Sequence, residues 1–164
     1  TNDIEQFPEF ENIRNAILEA REKVATTVNF AMVAAYWTIG KQLHEAMSGE
    51  GSNYGKRLIK FVSAKLSEEF GQGFDERNLR NMRQFYEVYQ KWNTVCSELS
   101  WSHYRLLMRI KEQEKREYYQ NECVECAWSV RQLERQINSF YYERILATSE
   151  GKKAEVRCCG QAFL

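Results

Sequence analysis

Phe74-Asp75-Glu76-Arg77-Asn78-Leu79-Arg80-Asn81-Met82-Arg83-Gln84-Phe85-Tyr86 is the stretch on which the fold turns. Its apolar residues Leu79, Met82, Phe85 and Tyr86, with Tyr89 beyond, return at three- and four-residue steps and so line one side of a helix. Arg77, Arg80, Asn81 and Gln84 fall on the other side. Asp75 stands where a helix cap belongs, and Phe74 and Leu79 occupy the two positions of a hydrophobic staple. The spacing predicts a helix from residue 75 to about Trp92. Before it, Gly71-Gln72-Gly73 is a short turn in which Gly71 is free to close a preceding helix of about Tyr54 to Phe70. That helix is expected to bury Leu58, Ile59, Val62, Leu66 and Phe70 on one arc.

Outward from this pair the chain keeps the same character. A single Pro, at position 8, and only eight Gly in 164 residues leave long stretches without a breaker, which favours helices over a many-turned sheet. From about Glu9 to His44 the residues Ile13, Ile17, Val24, Val28, Ala31, Ala35, Ile39 and Leu43 form one stripe, with a break expected near Thr26-Thr27 or Gly40. Residues 48–53 are the clearest loop. Downstream, Ser100 is placed to cap a helix with Leu99 and Tyr104 as its staple, and residues 112–127 form an acidic helix with five Glu against one Lys and one Arg. Ser129 and Gln132 make a capping box, with Trp128 and Leu133 as staple, for a helix running from Val130 to about Leu146. On it Val130, Leu133, Ile137, Phe140 and Tyr141 share one arc, and Arg131, Arg135 and Asn138 another. The expected fold is all-α: a helix–turn–helix or winged-helix-like bundle of about six helices with a long N-terminal helix. A short β-hairpin near residues 92–99 is the one competing local reading.

The charges balance at 23 Lys+Arg against 23 Asp+Glu, which as an average argues against a polyanionic partner. The average hides a pattern. Residues 54–111 hold eleven cations and six acids, and the remainder twelve cations and seventeen acids. A basic middle lies between acidic flanks, and local charge sets the local field.

Arg, Asn and Gln are the side chains that bond bidentately to guanine and adenine edges in a major groove, and a helix–turn–helix places its second helix there. Helix 75–92 is therefore the expected recognition helix, with Arg77, Arg80, Asn81, Arg83 and Gln84 toward DNA. Lys56, Arg57 and Lys60 on the preceding helix would hold phosphates, and Arg131 and Arg135 would form a second groove-facing or partner-binding face. The alternative is a solvated helix face that happens to carry arginines.

Other chemistry finds little footing. Cys123-Val-Glu-Cys126 has half of a zinc spacing, but it lies within a helical stretch with no His nearby, and the adjacent Cys158-Cys159 lacks the gap needed to complete it. Cys96, Cys123 and Cys126 read as buried, inert thiols, and Cys158 or Cys159 as able to pair on oxidation. Of the two His, His103 falls three residues after a cap and reads as serving the helix end. No Gly-rich phosphate loop or nuclease-type carboxylate pair with Lys occurs, so no catalytic residue, metal, cofactor or small-molecule substrate is expected. No apolar run suits a membrane span, and the amino end lacks a signal-peptide pattern, so the expected location is cytoplasmic.

Four stretches carry a family resemblance: Tyr36-Trp37-Thr38-Ile39-Gly40; Tyr54-Gly55-Lys56-Arg57-Leu58; Phe74 through Tyr86; and Leu99-Ser100-Trp101-Ser102-His103-Tyr104 followed by Trp128-Ser129-Val130-Arg131-Gln132-Leu133-Glu134-Arg135-Gln136-Ile137. In this order, over about residues 9–146, they resemble the amino-terminal domain of the bacterial YhcG-like family. The resemblance implies a helical DNA-binding module placed before a PD-(D/E)XK nuclease domain. After Leu146 this chain ends at Leu164 where a full-length relative continues, so the metal-binding acids and Lys of that catalytic half are absent and nuclease activity is not carried over. The expected organisation is a helical domain over residues 1–147 and a flexible tail or truncated linker over 148–164. The missing initial Met fits an excised or truncated chain.

The expected function is thus a non-catalytic module binding double-stranded DNA. The competing expectation is an interaction domain that forms a homodimer or recruits another protein through the long first helix and the acidic segment 112–125, with exposed aromatic residues such as Trp37 and Trp92 as anchors.

Overall fold

A computed structural model describes residues 9–148. Helix α1 (Glu9–Met47) is continuous over 39 residues, about 58 Å at 1.5 Å per residue. Neither expected break interrupts it. Thr26 and Thr27 turn their hydroxyls onto the carbonyls of Glu22 and Lys23, at 3.0 and 2.9 Å, and so are accommodated inside the helix. Gly40 is buried at the place where α1 crosses a later helix. A Cβ there would overlap the Met82 carbonyl oxygen and lie 2.7 Å from its carbon. The absent side chain is what admits the close approach.

Helix α2 (Ser52–Phe70) is closed by Gly71, whose N–H donates to Ser67 O at 3.1 Å. Of its expected apolar arc Ile59 is buried and Leu58, Val62 and Leu66 half-buried, but Phe70, at the helix end beside Phe74, is 61% exposed. Gly71 and Gly73 have φ of 79° and 105°, so the turn uses backbone that L side chains rarely adopt. Helix α3 (Glu76–Val88) then begins, and it ends short of the expected Trp92. The cause is tertiary: the Trp37 indole N–H donates to the Tyr89 carbonyl at 2.7 Å, and the chain leaves the helix into a 3-10 turn (Trp92–Thr94). That turn stands where the β-hairpin was considered. Asp75 has the extended N-cap conformation but makes no side-chain cap bond. Asn78 fixes the turn instead, its amide donating to Gly73 O at 2.5 Å while its oxygen accepts from the Trp101 indole at 3.2 Å.

Four shorter helices complete the bundle: α4 (Trp101–Leu107), α5 (Gln113–Glu125), α6 (Val130–Asn138) and α7 (Tyr141–Ala147). Seven α-helices and no strand are present among the described residues, so the fold is all-α and no β wing accompanies α2 and α3. The continuous helix expected from Val130 to Leu146 is two helices. The Tyr119 hydroxyl donates to the Gln136 carbonyl at 3.3 Å and accepts from the Tyr142 N–H at 3.2 Å, so a side chain from α5 stands in the backbone ladder. Phe140 takes a left-handed conformation with φ 53° and is 63% exposed, rather than sharing the arc of Leu133.

Two apolar clusters meet at α3. The larger contains Val33, Phe85, Tyr104, Leu107, Trp128, Leu133 and Tyr141, and the smaller Leu43, Ile59, Leu79 and Met82. The sidedness expected of α3 is observed, with Leu79, Met82, Phe85 and Tyr89 buried. Trp37 and Trp92 are half-buried, not exposed anchors: Trp37 meets Tyr86 and Trp92 edge-on at 5.1 and 5.4 Å, and Trp92 leans on Phe30 at 5.6 Å. Glu122, counted above as part of an acidic face, is buried and accepts from the Tyr141 hydroxyl at 3.3 Å. The Ser129–Gln132 capping box forms, with bonds of 2.8 and 3.3 Å. No helix of the described residues is long and apolar enough to cross a membrane. The expected tail, Thr148 apart, and Cys158-Cys159 lie outside the described residues.

Candidate nucleic-acid interface

Because the apolar side of α3 is taken by both core clusters, its polar side must face outward. Arg77, Arg80 and Gln84 are exposed and Asn81 and Arg83 half-buried. These side chains are not equally available. Arg80 Nη2 donates to Glu76 Oε2 at 2.7 Å, and Arg83 Nε to Glu87 Oε1 at 2.9 Å, each one helical turn apart. Arg83 is also held by Met47, with Nη1 3.6 Å from Sδ, and Glu87 is shared with His44 Nδ1 at 3.1 Å. Arg77 has no ion pair among the described residues.

Gln84 Nε2 donates to the Met108 carbonyl at 3.4 Å. This long bond brings the turn after α4, with exposed Arg109 and Lys111, beside the outward side of α3. Both cations contribute to the basic middle of the sequence, but nothing in their spacing places them next to Gln84. The contact depends on how α4 packs.

On α2, Lys56, Arg57 and Lys60 are exposed and make no ion pair among the described residues, beside the buried Gly55 and Ile59 that seat the helix. From Ser52 to Leu66 this helix carries Lys56, Arg57, Lys60 and Lys65 and no acid. Its cations are therefore less compensated than those of α3, and Tyr54 and Phe61 stand exposed among them. Arg131 and Arg135 are exposed on α6, a helix that packs on α4, α5 and α7. They are not brought together with the α3 residues.

The remaining reactive groups are engaged elsewhere. The Nε2 of His103 meets the Trp128 carbonyl at 2.9 Å, so it carries the proton. Nδ1 then accepts from the Ser100 N–H at 3.2 Å, with the Ser100 hydroxyl 2.8 Å away. Neither nitrogen is directed at Cys96, whose sulfur receives the Gln120 amide at 3.1 Å. The Cys123 thiol is pushed up to about 12 by burial. Cys96 and Cys126 are half-buried, so of the three described thiols only Cys123 meets the expectation in full. No cluster of three His, Cys, Asp or Glu suited to a metal occurs among the described residues.

A second unpartnered surface lies on the amino-terminal half of α1. Ile17, Val24, Val28 and Met32 are 51%, 64%, 55% and 41% exposed. Val33, Trp37 and Gly40, which meet the bundle, lie on the other side of the helix.

Residues 12–144 match the family described as the DUF1016 N-terminal domain. The chain is 32% identical over 174 aligned positions to the Escherichia coli (strain K12) protein named "Putative nuclease YhcG", with 85% of this chain and 46% of that protein covered. It therefore spans about half the length of the curated relative it matches. No solved structure matches it. Since the family match takes in α3, the Ser129–Gln132 capping box and nearly the whole described bundle, the chain belongs to the family of the DUF1016 N-terminal domain.

Proposed function

We propose that this domain is a DNA-binding module that acts in the cytoplasm and serves a nuclease half of the kind named in its longer relative. Helix α3 acts as the recognition helix of a helix–turn–helix formed with α2. Arg77, Arg80, Asn81 and Gln84 face bases or phosphates, and Lys56, Arg57 and Lys60 hold the backbone. Arg83 extends this surface, and Arg131 and Arg135 on α6 form a second, separate basic face. The observation that carries this reading is the contrast between the two sides of α2 and α3: the apolar side is consumed by the core, and the outward side presents cations, with no acid on α2 before Glu68. A polyanion is the partner that such a field attracts. Residues 1–147 form the module and 148–164 the start of a linker; the chemistry belongs to the other half.

Duplex binding followed by fluorescence anisotropy across a salt series tests it. The logarithm of affinity should fall linearly with the logarithm of salt, with a slope of about 0.9 for each phosphate contact. An Arg77→Ala/Arg80→Ala protein that keeps its unfolding curve should bind more weakly and with a shallower slope. Unchanged binding would remove α3 from the interface.

A second reading has its own observation. The stripe Ile17, Val24, Val28 on α1 is exposed, and we propose that a second copy of the chain covers it. A homodimer would then carry two α3 helices on one duplex.

A further inference from the structure

The outward face of α2 has a composition that phosphate binding does not account for. Tyr54, Arg57, Phe61 and Lys65 follow one another at three- and four-residue steps, so they form one stripe, turned away from the buried Gly55 and Ile59. Phe61 is 63% exposed and Tyr54 38%, and among the described residues neither ring meets another aromatic ring. A phosphate clamp needs only the cations. Rings left in water between cations match a ligand with flat apolar faces as well as negative charge.

Duplex DNA supplies the charge but hides its base faces in the stack. Unpaired nucleic acid offers both along one strand, and aromatic side chains set in a basic groove are how proteins hold it without reading sequence. The dimensions agree: Tyr54 and Phe61 are seven residues apart, about 10 Å along the axis, with Arg57 between them. The charge is complementary too: among the described residues the one acid paired with this stripe is Glu68, 3.3 Å from Lys65, in a pair whose side chains are 64% and 74% exposed and hence weakly coupled.

We propose that this face of α2 is a binding site for unpaired nucleic acid, in which Tyr54 and Phe61 stack on bases while Arg57 and Lys65 hold the intervening phosphates. The proposal rests on the nucleic-acid reading above but assigns a different strand state and adds the rings Tyr54 and Phe61, which the duplex reading does not use, so the two can fail separately.

The test measures anisotropy of labelled oligothymidine, oligouridine and a blunt duplex with the parent chain and with Phe61→Ala, Phe61→Leu and Phe61→Trp. Because Phe61 is exposed, these changes should leave the unfolding midpoint in place. The expected result is single-strand binding that weakens about five-fold or more in Phe61→Ala and Phe61→Leu, returns in Phe61→Trp, and leaves duplex affinity unchanged. A preference between the two oligonucleotides identifies the strand as DNA or RNA. Single-strand binding equal in Phe61→Leu and the parent overturns the stacking site. Binding of the duplex alone overturns it while the α3 reading stands, and binding of neither overturns both. Binding of single strands alone upholds the α2 site and ends the α3 reading.

Discussion

Gly40 on α1 lies against the backbone of Met82 on α3, with no room between them for a methyl group. The contact sets how closely the long helix approaches the helix proposed to meet DNA. In an exposed helix interior Gly→Ala stabilises by about 1 kcal/mol. Here the sign reverses, because the new Cβ would meet a carbonyl that cannot rotate away. Gly40→Ala should lower stability by about 1–3 kcal/mol, the usual cost of overpacking, in urea unfolding followed by circular dichroism. A neutral effect would mean that α1 and α3 stand further apart.

The pairs Glu76–Arg80 and Glu87–Arg83, at 2.7 and 2.9 Å, hold two arginines along the surface of α3. Exposed pairs of this type contribute about 0.3–0.5 kcal/mol to stability, so breaking them costs the fold little. If α3 faces phosphates, Glu76→Gln and Glu87→Gln should tighten duplex binding and steepen its salt dependence, because each frees a cation and removes a repelling acid. A salt series on the double variant measures both effects. No change in slope would mean that these arginines do not reach the phosphates.

Much of the architecture was legible in local spacing. The sidedness of α3, the Gly71-Gly73 turn, the Ser129 capping box and the service of His103 to a helix end all depend on residues within a few positions of one another. The misreadings have distant causes. Helix α3 stops early because Trp37, 52 residues away, takes the Tyr89 carbonyl. Tyr119 divides α6 from α7, and the burial of Glu122 depends on Tyr141. For the site, the cations and their side of each helix were readable, and so in principle were the Glu76–Arg80 and Glu87–Arg83 spacings. That Phe61 would be left in water was not, because it depends on which arc of α2 the core selects.

Tyr119 offers a clean test of the division between α6 and α7. In Tyr119→Phe the ring still fills its place in the core, but the Tyr142 N–H loses its acceptor and the Gln136 carbonyl keeps only the Ser139 hydroxyl. An unsatisfied buried polar group costs about 1–3 kcal/mol, so the variant should unfold at lower urea with the same m-value. Hydrogen exchange at Tyr142 should quicken more than at Leu133. Equal protection would place the hydroxyl elsewhere.

Lys115 and Glu143, 2.5 Å apart, tie α5 to α7. The bond from Lys115 holds the Glu143 carboxyl below its ordinary range, and the same bond raises Lys115. The stabilisation from Glu143 is thus fully present above the unfolded carboxylate value and is lost as pH falls through the lowered one. The part due to Lys115 is present below its unfolded value and is lost as pH rises through the raised one. Because the side chains are 22% and 45% exposed, the pair is worth less than about 1 kcal/mol. Lys115→Met should unfold slightly earlier than the parent near neutrality and converge with it in acid. A difference that persists below about pH 3 would assign the effect to packing of the lysine stem.

The amino-terminal half of α1 poses the problem of a helix with no support. An isolated helix of this length is marginal in water, and most helical stability in proteins comes from an apolar face packed against something. From Arg14 to Asn29 every described side chain is exposed, the apolar residues Ile17, Val24 and Val28 among them. The stripe continues toward Ile39 and Leu43, which α2 and α3 do cover. If a second copy covers the exposed part, sedimentation of the parent should show a concentration-dependent dimer, and Val24→Ser/Val28→Ser should shift it to monomer. The same variant should lose helix content at low concentration no faster than the parent, because in the monomer both residues are already in water. A parent chain that sediments as a monomer at high concentration and keeps its full helix content would show that α1 stands without a partner, and the homodimer would be excluded.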